Sequence, residues 1–406
     1  MHAVRRKLVV IAGAAAIGTS ALASSIALVA CGSSLDDASS PTTQDAGTPG
    51  DASIRDSGVF ADGGAAGATI EANAIVLVHA ASFPAFRVCF EGRRGDRPEP
   101  STEVMPDSNV VGVEVGTAVR LDPKIGVLGR AYVFAEADIR ALYPTFGGDG
   151  PTCNTLLTTA IGTSSIEVGE IEEDVSSGVH ALVLTGCRGE VNDTLASTQR
   201  CGDDWEAKKA TPNGNLQLRV IALQAFQRLG TTRLSFQIVQ LSPGLGRLAA
   251  GRAVGVSFGA LDTEGGAPPS PFVEGSLPFG KPVPNPPAVV DYSANDVASY
   301  ATSGVFVTLG GAVDDAGVAV DAGTPGADAG ARELVFAQSL ADIQKRSSPR
   351  SLPAEWFGVA SSYVVITVGE PAPRLADGGT DDDPRRALHL LAIPLAEPDA
   401  GPPRDD

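Results

Sequence analysis

The chain has 406 residues, with 30 Lys and Arg against 48 Asp and Glu, a formal charge of −18. A surface of that sign repels phosphate backbones and anionic headgroups, so nucleic acid is excluded as a partner. The length allows two domains with sizeable cores.

Residues 1–30 form the first recognisable element. A basic head (Arg5, Arg6, Lys7) precedes an apolar run from Leu8 to Ala30, which ends Leu28-Val29-Ala30 before Cys31. Basic head, apolar run and small residues before a break describe a secretory signal peptide rather than a spanning helix. Cys31 directly after the small-residue site, followed by Gly32-Ser33-Ser34, resembles a bacterial lipobox. The resemblance implies cleavage before Cys31, a diacylglycerol on its thiol and a palmitate-type acyl chain on its amine. Each buried CH₂ contributes about 0.8 kcal/mol, so one chain holds marginally and two or more hold stably. The competing reading is an uncleaved signal anchor with an incidental Cys31. Gly32 is not Asp, so the enteric inner-membrane retention signal is absent, which favours the outer membrane. Removal of residues 1–30 takes away three basic side chains and no acidic ones, leaving 376 residues with a charge of −21.

Residues 31–72 are rich in Ser, Asp, Ala, Gly, Pro and Thr. Such a segment buries too little apolar surface to offset its ordering entropy, so a disordered tether is expected. About forty residues of this kind reach on the order of 35 Å. The same material recurs later: Asp45-Ala46-Gly47-Thr48-Pro49-Gly50 reappears as Asp321-Ala322-Gly323-Thr324-Pro325-Gly326. The second copy lies in a low-complexity insertion over 310–331, and a third acidic loop spans Ala376 to Asp383. None has the D-x-[DN]-x-[DN]-G pattern that wraps calcium, so solvated loops are expected.

Four cysteines follow Cys31: Cys89, Cys153, Cys187 and Cys201. An even number in an exported chain suggests two disulfides, with three connectivities open. Cys187–Cys201 would close a short polar loop and is the easiest bridge to picture; Cys89–Cys153 would then tie an early strand to a later loop. A Cys₄ zinc site is disfavoured because no C-x₂-C pair exists, and no metal or cofactor is expected.

The remainder reads as short apolar runs bounded by Pro, Gly, Asp and Asn. They are Ala74–Ala81, Phe86–Gly92, Val110–Gly116, Arg130–Ala135, Val179–Cys187, Leu216–Leu223, Arg233–Leu241, Ala253–Leu261, Gly304–Leu309, Tyr363–Gly369 and Ala387–Leu395. Many short strands with regular turn signals predict an all-β protein of sandwich or barrel type. Two helices are predicted, Glu136–Leu142 and Arg332–Lys345, the second from Leu334, Ala337, Leu340 and Ile343 at helical spacing.

Two weak internal matches suggest that one unit occurs twice. Val133-Phe134-Ala135 before Asp138-Ile139 parallels Val335-Phe336-Ala337 before Asp342-Ile343, and His180–Gly186 parallels Tyr363–Gly369. The stretch Gly202–Asn215 is polar and carries Pro212, which places a boundary between domains at 73–205 and 213–396. The run Val76-Leu77-Val78-His79-Ala80-Ala81-Ser82-Phe83-Pro84-Ala85-Phe86-Arg87-Val88 resembles the opening of domain-of-unknown-function 4397, roughly V-R-V-V-H-A-S-P-D-A-P-A-V-D-V. The family's closing Y-T-V-V-A-V-G strand resembles Tyr363–Gly369 and, more loosely, His180–Gly186. The family's S-P-D-A-P turn is degraded here, and a second opening is placed near Leu218–Ala222. The resemblance implies an immunoglobulin-like β-sandwich, in two copies, of a kind found in secreted and lipid-anchored bacterial proteins. It brings no catalytic residues.

Candidate chemistry is sparse. Gly255-Val256-Ser257-Phe258-Gly259 matches G-x-S-x-G, but a nucleophile elbow needs a strand, a sharp turn and a helix, and Gly265, Gly266, Pro268 and Pro269 follow instead. Gly275–Lys281 fits G-x₄-G-K, yet Pro282 replaces the Ser or Thr and denies the phosphate-binding helix. His79, His180 and His389 all lie in apolar strand-like runs, where packed imidazoles are expected. Carboxylates at Glu170, Glu172, Glu173 and Asp174 and at Asp203-Asp204 read as solvated faces. Trp205, Trp356 and Tyr363 could line a sugar-stacking face, with core use the default.

Together these features describe a non-enzymatic lipoprotein of the bacterial cell envelope. It is anchored through Cys31 with its domains outside the cytoplasm, and it binds a glycan or another envelope protein or serves structurally. The rival is an exported serine hydrolase using Ser257.

Overall fold

Among the described residues, eight strands up to Leu223 and eight from Arg233 onward are paired in the same pattern. The first set is β1 (Ala74–His79), β2 (Phe86–Arg94), β3 (Arg97–Pro100), β4 (Ala118–Leu121), β5 (Gly129–Ala135), β6 (Ile166–Ile171), β7 (Val179–Thr185) and β8 (Gln217–Leu223). The second is β9 (Arg233–Gln240), β10 (Arg252–Ala260), β11 (Val273–Gly275), β12 (Pro282–Asp291), β13 (Ser303–Ala312), β14 (Glu333–Ser339), β15 (Ser362–Val368) and β16 (His389–Leu395). The first set makes sheets ordered β4-β1-β7-β8 and β3-β2-β5-β6; the second makes β12-β9-β15-β16 and β11-β10-β13-β14. β1 runs parallel to β7 and β9 parallel to β15, while the other pairs are antiparallel. The computed structural model describes residues 74–94, 97–100, 103–106, 112–121, 128–146, 150–158, 165–175, 177–189, 198–223, 233–261, 270–291, 302–312, 332–347, 362–372 and 383–395. The expected signal peptide over 1–30, Cys31, the expected tether over 31–72, Trp356 and most of the two later acidic loops lie outside these residues.

Three shared cores stack the four sheets. Ile75 and Leu77 of β1 and Leu182 and Leu184 of β7 meet Phe86, Val88 and Phe90 of β2 and Ala131 and Val133 of β5. The alternate residues, Val76 and Val78 of β1 and Ala181 and Val183 of β7, meet Val364 and Ile366 of β15 and Leu391 and Ile393 of β16. On the far side Tyr363, Val365, Leu390 and Ala392 meet Val256 of β10 and Val305 of β13. The period-2 alternation of a strand thus sends successive residues into two different cores. Every residue of β1, β7, β15 and β16 is buried, whereas β6, at the edge of an outer sheet, alternates buried and exposed. Strands covered on both faces favour apolar residues along most of their length, which accounts for the largely apolar runs AIVLVH and SYVVITV.

Edges use different residues. β12 carries four prolines, Pro282, Pro284, Pro286 and Pro287, and its register with β9 breaks between Val283 and Ala288. Proline cannot donate to a ladder and is tolerated at an edge, the place β12 holds in its sheet. The described residues also form six short helices: α1 (Glu136–Phe146), α2 (Cys153–Thr158), α3 (Thr198–Cys201), α4 (Trp205–Lys208), α5 (Pro243–Leu248) and α6 (Leu340–Ser347). α1 is fixed at its start by Glu136, which accepts from Nε of the fully buried Arg87 and from Arg140 Nη2 at 2.6 Å.

Several sequence expectations are corrected. The helix predicted over Arg332–Lys345 is strand β14 up to Ser339 and helix α6 from Leu340. Pairing with β13 overrides the helical spacing of Leu334 and Ala337, and Ser339 Oγ then caps α6 by accepting from Asp342 N–H at 3.0 Å. In Val110–Gly116 the described residues show only an isolated bridge from Val113 to Phe86. β13 runs on through Ala312, so the insertion expected from 310 starts later. Val133–Ala135 lies in β5 but Val335–Ala337 lies in β14, whose counterpart by pairing is β6, so that match is not a repeat. His180–Gly186 and Tyr363–Gly369 do hold equivalent places, in and after β7 and β15. Leu218–Ala222 lies in β8, paired to β7; the strand equivalent to β1 is β9. Strand pairing therefore changes from one set to the other between Leu223 and Arg233.

Two disulfides form, Cys89–Cys153 with Cα atoms 5.5 Å apart and Cys187–Cys201 with Cα atoms 5.2 Å apart. The first ties β2 to α2; the second packs against Trp205. By loop-closure entropy, replacing both cysteines of the 64-residue span by Ser should cost about 4 kcal/mol, and of the 14-residue span about 3 kcal/mol. Urea unfolding of the two double variants checks this; equal or reversed losses would contradict the loop-closure account.

Candidate functional site

The parallel pairs β1–β7 and β9–β15 end on the same side of the stack, and the segments that follow their last residues line two clefts. The larger, about 550 Å³, is walled by residues after β1 (His79 to Ala85), after β7 (Arg188), after β15 (Gly369, Glu370) and by the turn Asp383–Arg386. The smaller, about 400 Å³, shares Ala80 and Pro243 with it and adds Asp203, Asn215, Arg219, Gln240 and Phe279. Both volumes fall within the range of small-molecule sites.

His79 shapes the first wall. It is fully buried, its Nδ1 accepts from Ala81 N–H at 3.3 Å, and its Nε2 donates to the Pro84 carbonyl at 3.1 Å. Desolvation by burial outweighs these carbonyl contacts and pushes its pKa down to about 4. The ring is thus a neutral brace of the turn, with both nitrogens engaged, as the packed-imidazole expectation has it. Gln240 stands at the equivalent place in β9: it pairs with Thr367 where His79 pairs with Leu184, and its Nε2 donates to the Ser242 carbonyl. An amide closes the second turn where an imidazole closes the first.

The turns that follow need glycine. Gly186 and Gly369 hold equivalent positions at φ 86° and 80°, and a Cβ would approach Asn215 O to 2.2 Å and Ala387 O to 2.3 Å. Any side chain there would strain the backbone and press on the backbone of the segments leading into β8 and β16.

Charged and polar contacts lock the two sets together beside the larger cleft. Arg200 of α3 donates from Nε to Glu370 Oε1 at 2.8 Å, with both side chains about nine-tenths buried. His389 of β16 faces Gly116 O and Ala387 O, each at 2.7 Å. Burial lowers its pKa against the pull of these carbonyls. Asp383 accepts from Arg385 Nε at 3.0 Å and Arg385 Nη2 at 2.9 Å. Those hydrogen bonds, opposed by slight burial, hold its pKa at about 2.

The remaining candidates lie apart from one another. Ser257 sits in β10, buried, paired opposite Phe306, and the strand continues through Ala260, so no nucleophile elbow forms at G-x-S-x-G. Gly275–Lys281 leads into strand β12 rather than a helix. Trp205 and Tyr363 are both in cores and present no stacking face. Asp203 pairs with Arg247 at 2.7 Å and Asp204 with Lys208 at 2.9 Å, at the rim of the smaller cleft. Among the described residues no group of three or more His, Cys, Asp or Glu is placed to hold a metal. Sequence reading missed the arginines of the larger cleft, which come from three separate stretches; their only local signal was Arg188 and Arg200 flanking the paired cysteines. The sequence matches no protein-family model and no curated protein.

Two expectations follow. The folded pKa of His79 lies below its ordinary 6.5, so on acidification the unfolded chain takes up the proton first. Stability is therefore lost as pH falls from about 6.5 to about 4, by about 3 kcal/mol for this group. Unfolding at pH 7 and pH 4.5 should show a shallower loss in His79→Gln than in the wild type; parallel profiles would refute it. Glu370→Ala leaves Arg200 without its buried carboxylate and should lower stability by about 3–5 kcal/mol, measured by the same unfolding curves.

Proposed function

We propose that this chain is a lipid-anchored protein of the bacterial cell envelope with a non-catalytic binding or structural role. The carrying observation is Cys31, placed directly behind a basic head and apolar run with Leu28-Val29-Ala30 before it. Two disulfides suggest an extracytoplasmic protein, in keeping with that reading. Among the described residues no helix is long and apolar enough to cross a membrane. The outer membrane is the proposed site. The repeated strand pairing supports a chain built from two immunoglobulin-like β-sandwich domains related to domain-of-unknown-function 4397. The clefts at the strand ends are where a glycan or the segment of another envelope protein would seat.

Metabolic labelling with an alkyne-tagged fatty acid tests the anchor. The wild type should carry the label and sediment with membranes, and Cys31→Ala should lose the label entirely. An unlabelled wild type, or a labelled Cys31→Ala variant, would overturn the reading.

A further inference from the structure

We infer that the larger cleft binds a small organic anion through an oxyanion group, a carboxylate or a phosphate, recognised by arginine. The inference rests on the proposal that the chain is a binding protein and names the ligand class of its cleft.

Charge balance is the first observation. Acidic residues outnumber basic ones 48 to 30 in the whole chain, yet four arginines and three carboxylates line this cleft. Two of those carboxylates are already engaged inside the protein. Glu370 is taken by Arg200 in a buried pair at 2.8 Å, and Asp383 by both forks of Arg385 with Arg386 at 4.0 Å. The third, Glu114, is exposed at the rim and acts on Arg385 at longer range. Arg188 is half-buried in the wall and has no ion-pair partner among the described residues. A partly desolvated guanidinium without a carboxylate is unfavourable unless something supplies the missing acceptor.

The second observation is how Arg188 is held. It directly follows Cys187, and Arg200 directly precedes Cys201, so the Cys187–Cys201 bridge, 5.2 Å between Cα atoms, fixes both arginines to one wall. Asn215 stiffens the same loop, accepting from Cys187 N–H at 2.8 Å and donating to Cys201 O at 2.7 Å. The turn Asp383–Arg386, also in the lining, is tied to Glu370, whose N–H donates to Arg386 O at 2.9 Å. A preorganised guanidinium loses less freedom on binding than a mobile one.

The third observation is residue type. All four cations are arginines, whose planar fork matches an oxyanion bidentately, where lysine offers a point charge. The pair Arg385–Asp383 shows that geometry within the cleft. Between the charged walls the lining is apolar, with Ala81, Phe83, Pro84 and Pro243, which suits the carbon body of an organic anion rather than a bare inorganic ion.

The test is calorimetric titration of the detergent-solubilised full chain at low ionic strength with three probes: glucuronate, glycerol 3-phosphate and inorganic phosphate. At least one organic probe should bind, more tightly than inorganic phosphate and with affinity falling as salt is added. Arg188→Ala should weaken it tenfold or more with an unchanged melting temperature, since that side chain holds no ion pair among the described residues. Preference for glucuronate would point to acidic polysaccharide as the source, and preference for glycerol 3-phosphate to a phospholipid headgroup. Failure of all three probes to bind at 10 mM, or equal binding by Arg188→Ala, overturns the inference. A labelled Cys31 alongside absent anion binding would remove this inference alone. Anion binding by an unlabelled wild type would remove the anchor and keep the cleft.

Discussion

Burial of the two inner sheets on both faces is the constraint on which the rest of this molecule depends. Each of β1, β7, β15 and β16 sends alternate residues into two cores, so the strand is at once the roof of one layer and the floor of the next. At about 1.5–3 kcal/mol for each large apolar side chain buried, this central joint outweighs any single polar contact in the fold. It also sets what the inner strands can carry. Their polar residues sit mainly near strand ends and find partners there: Ser235 Oγ with Ser362 Oγ at 2.8 Å, His79 with Pro84, and His389 with Gly116. Gln237, buried in the middle of β9, reaches a partner only through its long side chain, which donates from Nε2 to Pro284 O at 3.0 Å.

The same joint creates the clefts. Because β1 is parallel to β7 and β9 to β15, four chain segments leave the stack side by side, and each must turn away over a neighbour. The turns are closed by His79 in one set and Gln240 in the other and made passable by Gly186 and Gly369. The Cys187–Cys201 bridge and the Arg200–Glu370 pair then hold these exits in place. Apolar packing thus fixes where the openings lie, and polar and covalent contacts fix their shape. The arginine-rich wall of the larger cleft is a product of this arrangement, assembled from residues around 188, 200 and 385 that no local stretch of sequence brings together.

Much of the strand content was legible because double burial leaves a strong local mark: an unbroken apolar run such as Ala74–His79 reads as a strand on any scale. The elements that escaped notice are those whose identity depends on a neighbour. β12 is a strand despite four prolines because it lies at an edge, where missing donors do no harm. β14 has helical spacing in Leu334 and Ala337 but is captured by β13. The strand equivalent to β1 is β9 rather than the run near Leu218, and its sequence hides this because Gln240 stands where β1 has His79 while keeping the turn-closing bond.

By itself the sequence determined the strand-rich class, the pairing-capable cysteines and the absence of an elbow-forming context around Ser257. These follow from local chemistry: apolar runs, turn residues, spacing. Tertiary structure alone decided that the two strand sets repeat one pairing pattern and share a core. It alone decided that Trp205 and Tyr363 are interior, and that four scattered arginines face one cleft. These depend on which strands lie side by side, and a strand's own residues say only how deeply it is buried, not what covers it.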